Sequence, residues 1–267
     1  MKTHNKPRLA VHKFSSCDGC QLAFLNLGEP LLDLAERVDI LHFAEAGMVD
    51  ENAEVDIAFV EGSIATPEDL GRIGRIRTNS RYVVTIGACA TAGGIQALRN
   101  IHDAQSWVRG VYAKPEHIQL LATSTPIAEH IKVDLELWGC PVNGYQVVSA
   151  VNALLLGHVP IQDAASVCQE CKRQNIVCVL VAQGRPCMGP VTHTGCGALC
   201  PRFQRDCYAC YGPANDTNIE SLGKRFSQLG LSSNDVAARL HFINNHTEPF
   251  RSAGEAWRKK SKPGQQP

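Results

Sequence analysis

The chain holds twelve cysteines among 267 residues, and they fall into three sets of four: Cys17, Cys20, Cys89 and Cys140; Cys168, Cys171, Cys178 and Cys187; Cys196, Cys200, Cys207 and Cys210. None is left over. The first set is scattered from Cys17 to Cys140, whereas the other eight crowd between Cys168 and Cys210. That contrast predicts one site assembled by a large fold and two held by a short, loop-rich segment.

Disulfides, zinc and iron-sulfur clusters all use cysteine in fours. Disulfide frameworks belong to small secreted chains without a sufficient core. Met1 to Phe14 carries Lys2, His4, Lys6, Arg8 and His12 with no apolar run of signal-peptide length and no twin-arginine pair. The expectation is a cytoplasmic protein. No run of eighteen apolar residues suits a membrane span, so any membrane association is expected through a partner. A formal net charge of zero and a pI near 7.1 give no electrostatic case for nucleic acid. With 44% hydrophobic residues the chain can build one or two real cores.

Through residue 160 apolar runs alternate with helical patterns, which predicts an α/β fold with a mostly parallel sheet. Strands are expected at Leu9–Phe14, Val38–Phe43, Val55–Val60, Tyr82–Ile86 and Leu135–Trp138. Helices are expected after Cys20 with a break near Gly28 and Pro30, and at Pro67–Thr78, Ala92–Asn100 and Gly144–Leu156. The start Thr66-Pro67-Glu68-Asp69 supplies an N-cap, a proline at the first helical position and two first-turn acids. On this outline Cys17 and Cys20 follow the first strand, Cys89 the fourth and Cys140 the last. Ligands of open α/β sheets gather outside the carboxyl ends of the strands, so the scattered set converges there. Gly19, Gly87, Gly93, Gly94 and Gly139 lie among these cysteines, where they allow close backbone approach. The run Gly87 to Gly94 could also cradle phosphate, but it matches neither the P-loop nor the dinucleotide fingerprint.

The runs Lys13-Phe-Ser-Ser-Cys-Asp-Gly-Cys-Gln-Leu22, Val60-Glu-Gly-Ser-Ile64, Gly87-Ala-Cys-Ala90 and Trp138-Gly-Cys-Pro-Val-Asn143 resemble the small (delta) subunit of nickel-iron hydrogenases. The similarity is to the cytosolic bidirectional NAD(P)-linked or sulfhydrogenase type. It implies a flavodoxin-like domain in which Cys17, Cys20, Cys89 and Cys140 ligate a proximal 4Fe-4S cluster facing the nickel-iron centre of a separate large subunit. The related quinone-reductase subunit of respiratory complex I shares this domain but has two adjacent cysteines where this chain has Cys17-x-x-Cys20.

From Val167 to Gly212 the composition turns to Cys, Gly, Pro and Arg, and metal-thiolate bonds are expected to supply much of that segment's folding energy. The spacings are Cys168-x2-Cys171-x6-Cys178-x8-Cys187 and Cys196-x3-Cys200-x6-Cys207-x2-Cys210; neither is the bacterial ferredoxin run. Spacing alone leaves both iron-sulfur and structural zinc open. The stretch Leu180 to Pro213, with Gly184-Arg-Pro-Cys-Met-Gly-Pro-Val191 and Cys207-Tyr-Ala-Cys-Tyr-Gly-Pro213, resembles the carboxy-terminal extension of the same subunits, which implies two further 4Fe-4S clusters. The sequential partition gives Cys168, Cys171, Cys178 and Cys187 to the second and Cys196, Cys200, Cys207 and Cys210 to the third. Ligand exchange between the two sets is the alternative, as in two-cluster ferredoxins. Cys210 is followed by Tyr211, Gly212 and Pro213 where a large subunit's nickel motif would place a histidine, so the nickel site is expected on another chain.

Glu61 ends a strand at the ligand-bearing edge, and two uses compete: tuning the cluster or passing protons, or simply orienting a cysteine loop. Asp18 reads as a turn-former bonding nearby backbone amides, and His193 as a polar loop residue. Thr217-Asn-Ile-Glu220 reads as a capping box opening a helix to about Leu229, with a second from Ser233 to about Asn244. There Val236, Leu240 and Ile243 are expected to pack on the cysteine-rich domain, with covering of a partner subunit the alternative. Arg258 to Lys262, with Pro263, Gly264 and two glutamines beyond, reads as a flexible basic tail. The domains expected are residues 1–160, flavodoxin-like, and 161–267, a small loop-rich iron-sulfur domain with C-terminal helices. The expected function is electron transfer in a hydrogenase, between the large subunit and flavin/NAD(P)-binding and iron-sulfur subunits. The rivals are a complex I type subunit and a zinc-stabilised structural module.

Overall fold

A computed structural model describes residues 6–163 and 165–260. The chain divides into two compact units, Met1–Ile161 and Gln162–Pro267. Lys2, His4 and the tail from Ser261 onward lie outside the described residues.

The first unit is a five-stranded sheet, β1 (Arg8–Lys13), β2 (Asp39–Phe43), β3 (Val55–Glu61), β4 (Ser80–Ile86) and β5 (Leu135–Leu137), in the order β2-β1-β3-β4-β5. Every pairing is parallel. This is the flavodoxin-like strand order, with its switch point between β1 and β3. The strands read as nearly continuous apolar runs because both faces are covered. Leu9, Val11, Ile57, Phe59, Val84 and Ile86 pack on one face with Phe24, Leu34, Val147 and Val151. Those four come from α1 (Gly19–Leu25), α2 (Glu29–Arg37) and α6 (Gly144–Leu155). Alternate residues Ala10, Ala58, Val60 and Val83 face the other way, against Ile73 and Ile76 of α3 (Pro67–Thr78). At the start of α3, Thr66 accepts from the Asp69 backbone N–H and Asp69 from that of Thr66, a reciprocal capping box.

The region around Cys89 differs from the expected helix over Ala92–Asn100. The helix α4 spans Gly87–Ala92, and a 3-10 stretch follows at Gly94–Ile101. Gly93 and Gly94 both have positive φ and break the α geometry between them. A further helix, α5 (Ala104–Val111), is capped by Asp103, which accepts from the Gln105 and Ser106 backbone N–H groups.

In the second unit three short helices, α7 (Val167–Arg173), α8 (Val179–Ala182) and α9 (Leu199–Arg202), interrupt the cysteine-rich loops. Three longer ones follow: α10 (Ile219–Gln228), α11 (Ser233–Leu240) and α12 (Phe250–Lys259). Leu222, Phe226, Val236, Leu240, Phe250 and Trp257 form one core with Val179, Met188 and Val191. The cysteine-rich segment thus has an apolar backing, not thiolate bonds alone. Ile243 is buried as well. Three expectations change here. Asn218, not Thr217, caps α10, accepting from the Ser221 backbone N–H. The next helix ends at Leu240 rather than Asn244. Arg258 and Lys259 form the last turn of α12, where positive charge suits the helix dipole, and do not belong to a loose tail.

His12 on β1 and His42 on β2 stack in the interior with ring centroids 4.6 Å apart. Burial, the neighbouring His42 and Arg72 push the His12 imidazole down to about 3; burial lowers His42 too. His12 stays neutral in the fold down to about 3, whereas an unfolded histidine takes a proton near 6.5. Below that value the unfolded chain binds more protons, so stability falls as pH drops from 6.5 towards 3. Chemical-denaturation midpoints are expected to decline across this window, with a shallower slope in a His12→Phe chain.

Candidate metal centre

Four loops meet at the carboxyl ends of β1, β3, β4 and β5. Cys17 and Cys20 lie between β1 and the first turn of α1, Cys89 lies inside α4 directly after β4, and Cys140 follows β5. The Ala88 backbone N–H donates to the Gly139 carbonyl at 2.7 Å, joining the Cys89 loop to the Cys140 loop. The Val142 N–H points at Cys20 Sγ, 3.4 Å away. Phe14 N–H donates to the Glu61 carbonyl at 2.8 Å and Ser63 N–H to the Ser15 carbonyl at 3.0 Å, which joins the β1 and β3 exits.

Two glycines leave the room the thiols occupy. A Cβ on Gly87, whose φ is +83°, would collide with Cys20 Sγ. One on Gly94, at φ +55°, would lie 2.7 Å from Cys89 Sγ and 2.8 Å from the Cys89 Cα. Any side chain at either position would displace a thiol. The thiols also sense one another. Burial pushes the Cys89 thiol up to about 12, with Cys140 and Cys17 adding to it. Burial likewise raises Cys20, helped by Glu61, Cys89 and Cys140, and raises Cys140, helped by Cys17 and Glu61. Thiols held protonated in this way would have to give up their protons to bind a metal, so metal binding here would release protons.

Glu61 is almost fully buried and accepts from two backbone N–H groups, Cys20 at 3.1 Å on Oε1 and Gln21 at 3.2 Å on Oε2. Burial raises its carboxyl, while the bonds from Cys20 and Gln21 pull it down. Its two oxygens anchor the first turn of α1 and with it Cys20. The loop-orienting use is thus the one its bonds display. Asp18 behaves differently from expectation. It turns the chain at φ 63°, but its carboxylate takes Lys13 Nζ at 2.6 Å and Ser16 Oγ at 3.2 Å and no backbone amide. Gln21, fully buried beside Glu61, carried no signal in the sequence beyond its place next to a ligand.

The second unit brings the other eight cysteines into overlapping neighbourhoods. Burial raises the Cys168 thiol, with Cys187 and Cys178 adding to it; Cys171 goes up to about 11 through burial, then Cys168, Cys187 and Cys178, and lastly Cys196. Cys196 is raised by burial and then chiefly by Glu170 and Cys200, although N–H groups of Leu199 and Ala198 oppose this. Cys207, deeply buried, is raised well above the usual thiol range by burial, and Cys187 and Cys210 add to it. Cys187 touches both groups, since its sulfur receives the Cys207 N–H at 3.3 Å. His193 Nδ1 lies 2.9 Å from the Thr194 carbonyl, as a loop residue would. Among the described residues no three His, Cys, Asp or Glu side chains are grouped closely enough for a single metal ion.

Residues that sequence reasoning missed hold these loops. Asn244 donates to the Ala209 carbonyl at 2.6 Å, between Cys207 and Cys210. Arg239 of α11 pairs at 2.5 Å with buried Asp206. Their partners lie more than a helix away in sequence, so no local pattern announces them.

A Gly87→Ala chain is expected to lose metal at the first site only, read as a fall of about one third in metal bound per chain. Retention of the full complement would show that the close approach of Gly87 to Cys20 does not matter.

The family model described as NADH ubiquinone oxidoreductase, 20 Kd subunit, matches residues 17–154. That span opens on Cys17 and takes in Cys20, Cys89 and Cys140 but none of the other eight cysteines. Sulfhydrogenase 2 subunit delta of Pyrococcus furiosus is 32% identical over 233 residues, with 87% of this chain and 97% of the relative covered. NAD-reducing hydrogenase HoxS subunit delta of Cupriavidus necator is 29% identical, with 57% of this chain and 80% of the relative covered. In the structure titled as an NAD+-reducing NiFe hydrogenase in the H2-reduced state, one chain superposes with a TM-score of 0.54 at 29% identity, covering 60% of this chain and 96% of its own. The chain belongs to the NADH ubiquinone oxidoreductase 20 Kd subunit family, and these similar proteins are hydrogenase subunits.

Proposed function

We propose that the chain is the electron-transferring small subunit of a cytoplasmic nickel-iron hydrogenase, relaying electrons between the nickel-iron centre of a separate large subunit and a flavin/iron-sulfur partner serving NAD(P). Cys17, Cys20, Cys89 and Cys140 would hold the cluster nearest the large subunit. Cys168, Cys171, Cys178 and Cys187 would hold a second, and Cys196, Cys200, Cys207 and Cys210 a third. When bound, 4Fe-4S clusters supply one-electron redox chemistry with potentials set by ligation, hydrogen bonds to sulfur and burial.

The observation that carries this reading is the clearing at the sheet's carboxyl edge, where Gly87 and Gly94 leave room for the sulfurs of Cys20 and Cys89. The chain's own residues keep the ligands in place: Glu61 fixes the Cys20 turn, and the Val142 N–H directs a hydrogen bond at its sulfur. Cys17 and Cys140 are exposed, which leaves this edge open to a partner. All twelve candidate donors are thiols, a set that fits iron-sulfur clusters, and iron and sulfide content decides between these and zinc. The names of the similar delta subunits support the hydrogenase assignment over the complex I type. No helix of the described residues is long and apolar enough to cross a membrane.

Anaerobically purified protein is expected to be brown, with about twelve iron and twelve sulfide per chain. With a nickel-containing partner it should support hydrogen-dependent dye reduction. Colourless protein holding about three zinc ions would replace this reading with the structural one, and brown protein that pairs only with nickel-free partners would favour the complex I type.

A further inference from the structure

Glu170 lies between Cys168 and Cys171 on α7, yet its side chain serves a different loop. Its Oε1 accepts from the Gly195 N–H at 2.9 Å and the Gly197 N–H at 3.2 Å. Its Oε2 accepts from the Ala198 N–H at 3.0 Å and lies 3.7 Å from the Cys196 sulfur, within range of a thiol S–H donor. One carboxylate thus gathers three of the four backbone N–H groups of the run 195–198. That run is conformationally demanding, with Gly197 at φ 64° and Ala198 at φ 52°. For a residue with a Cβ, the left-handed region costs energy unless the surroundings impose it. The carboxylate is what imposes it.

A second tie runs in parallel. Gln174, the residue that closes α7, donates from Nε2 to the Gly197 carbonyl at 3.1 Å and accepts from Arg202 Nη2 of α9 at 2.6 Å. The helix bearing two cysteines of one set therefore grips, from two positions one turn apart, the loop bearing two cysteines of the other. The alternative is that Glu170 is an ordinary acid beside a helix. Such an acid would face solvent or a cation, whereas this one is half-buried and meets backbone N–H groups twenty-five to twenty-eight residues away.

We propose that Glu170 is a positioning residue that joins the two C-terminal cluster sites: it shapes the Cys196–Cys200 loop from the helix that carries Cys168 and Cys171, and it places a carboxylate against the Cys196 ligand. This rests on the iron-sulfur reading above. The Cys196 loop reaches its ligating shape only where α7 is in place, so filling of the two sites is linked. The carboxylate also opposes added negative charge at the neighbouring cluster and holds its potential low.

The test compares the anaerobically reconstituted full chain with Glu170→Ala, Glu170→Gln and a surface control, Glu220→Gln, whose carboxylate meets only exposed Lys224. The measurements are iron and sulfide per chain and potentiometric titration followed by electron paramagnetic resonance. Glu170→Ala is expected to lose about four of about twelve iron, with the Met1–Ile161 site filled. Glu170→Gln, of the same length, keeps one acceptor oxygen for the Gly195 and Gly197 N–H groups but sets an NH2 donor against that of Ala198, so it is expected to keep most of its iron while one cluster's midpoint potential rises with removal of the charge. Glu220→Gln should match the parent. Should Glu170→Ala fold too poorly to be read, Glu170→Gln decides. Parental iron content and unchanged potentials in Glu170→Gln would overturn the proposal. Absence of iron from the parent chain would instead overturn the underlying iron-sulfur reading.

Discussion

The first unit depends on a steric constraint: thiols from loops that are far apart in sequence must come together, and the backbone between them can carry no side chain. At Gly87 a Cβ would coincide with the Cys20 sulfur, and at Gly94 it would press on Cys89. The parallel sheet makes this arrangement reachable. Its strands deliver every loop to the same edge, and the β1/β3 switch point opens a crevice there. The two covered faces then make that edge stiff, because β1, β3 and β4 are buried on both sides. A ligand set spread over more than a hundred residues pays its ordering entropy through the fold rather than through the metal.

The second unit reaches a similar end by different means. Among the described residues its cysteine-rich segment has isolated β-bridges rather than a sheet, and side-chain bonds to backbone help to hold the loops. Glu170 and Gln174 hold the loop of Cys196, and Asn244 the loop between Cys207 and Cys210. Arg239 fixes buried Asp206 just ahead of Cys207. Behind them α10, α11 and α12 supply an apolar core shared with Met188 and Val191. A thiolate site of this kind contributes folding energy when filled, but the helices give it a surface to fold against.

The features legible in the sequence are those set by local forces. The strands were legible because burial on both faces writes unbroken apolar runs, and α3 because a capping box needs only Thr66 and Asp69. That Cys17, Cys20, Cys89 and Cys140 lie at one edge of the sheet was legible because topology alone places the ends of β1, β4 and β5. The rest depends on contacts without a period. The split between α4 and the 3-10 stretch turns on the φ angles of two adjacent glycines. Helix α12 was hidden because Phe250 and Trp257 bury only when α10 and α11 are already there. Asp18 kept its turn but not its partners, since Lys13 Nζ outcompeted the backbone amides that a free aspartate would take. Glu170 was invisible as a tie because its partners lie in a loop whose path nothing local sets.

Glu61 and Glu170 solve one problem in two settings. Each is an acid from a structured element whose two oxygens collect backbone N–H groups of a ligand-bearing turn: Cys20 and Gln21 for Glu61, Gly195, Gly197 and Ala198 for Glu170. Such N–H groups are the ones that would otherwise point at a cluster's sulfur or at solvent. Taking them with a carboxylate fixes the turn and also puts negative charge close to a thiol, as the upward push of Glu61 on Cys20 and of Glu170 on Cys196 records. With clusters bound, position and potential would then be set by the same side chain. Substituting either acid by its amide keeps the length and one acceptor oxygen but removes the charge and sets an NH2 donor against the N–H group on the other side, Cys20 or Gln21 for Glu61 and Ala198 for Glu170 when the amide oxygen keeps the two glycines.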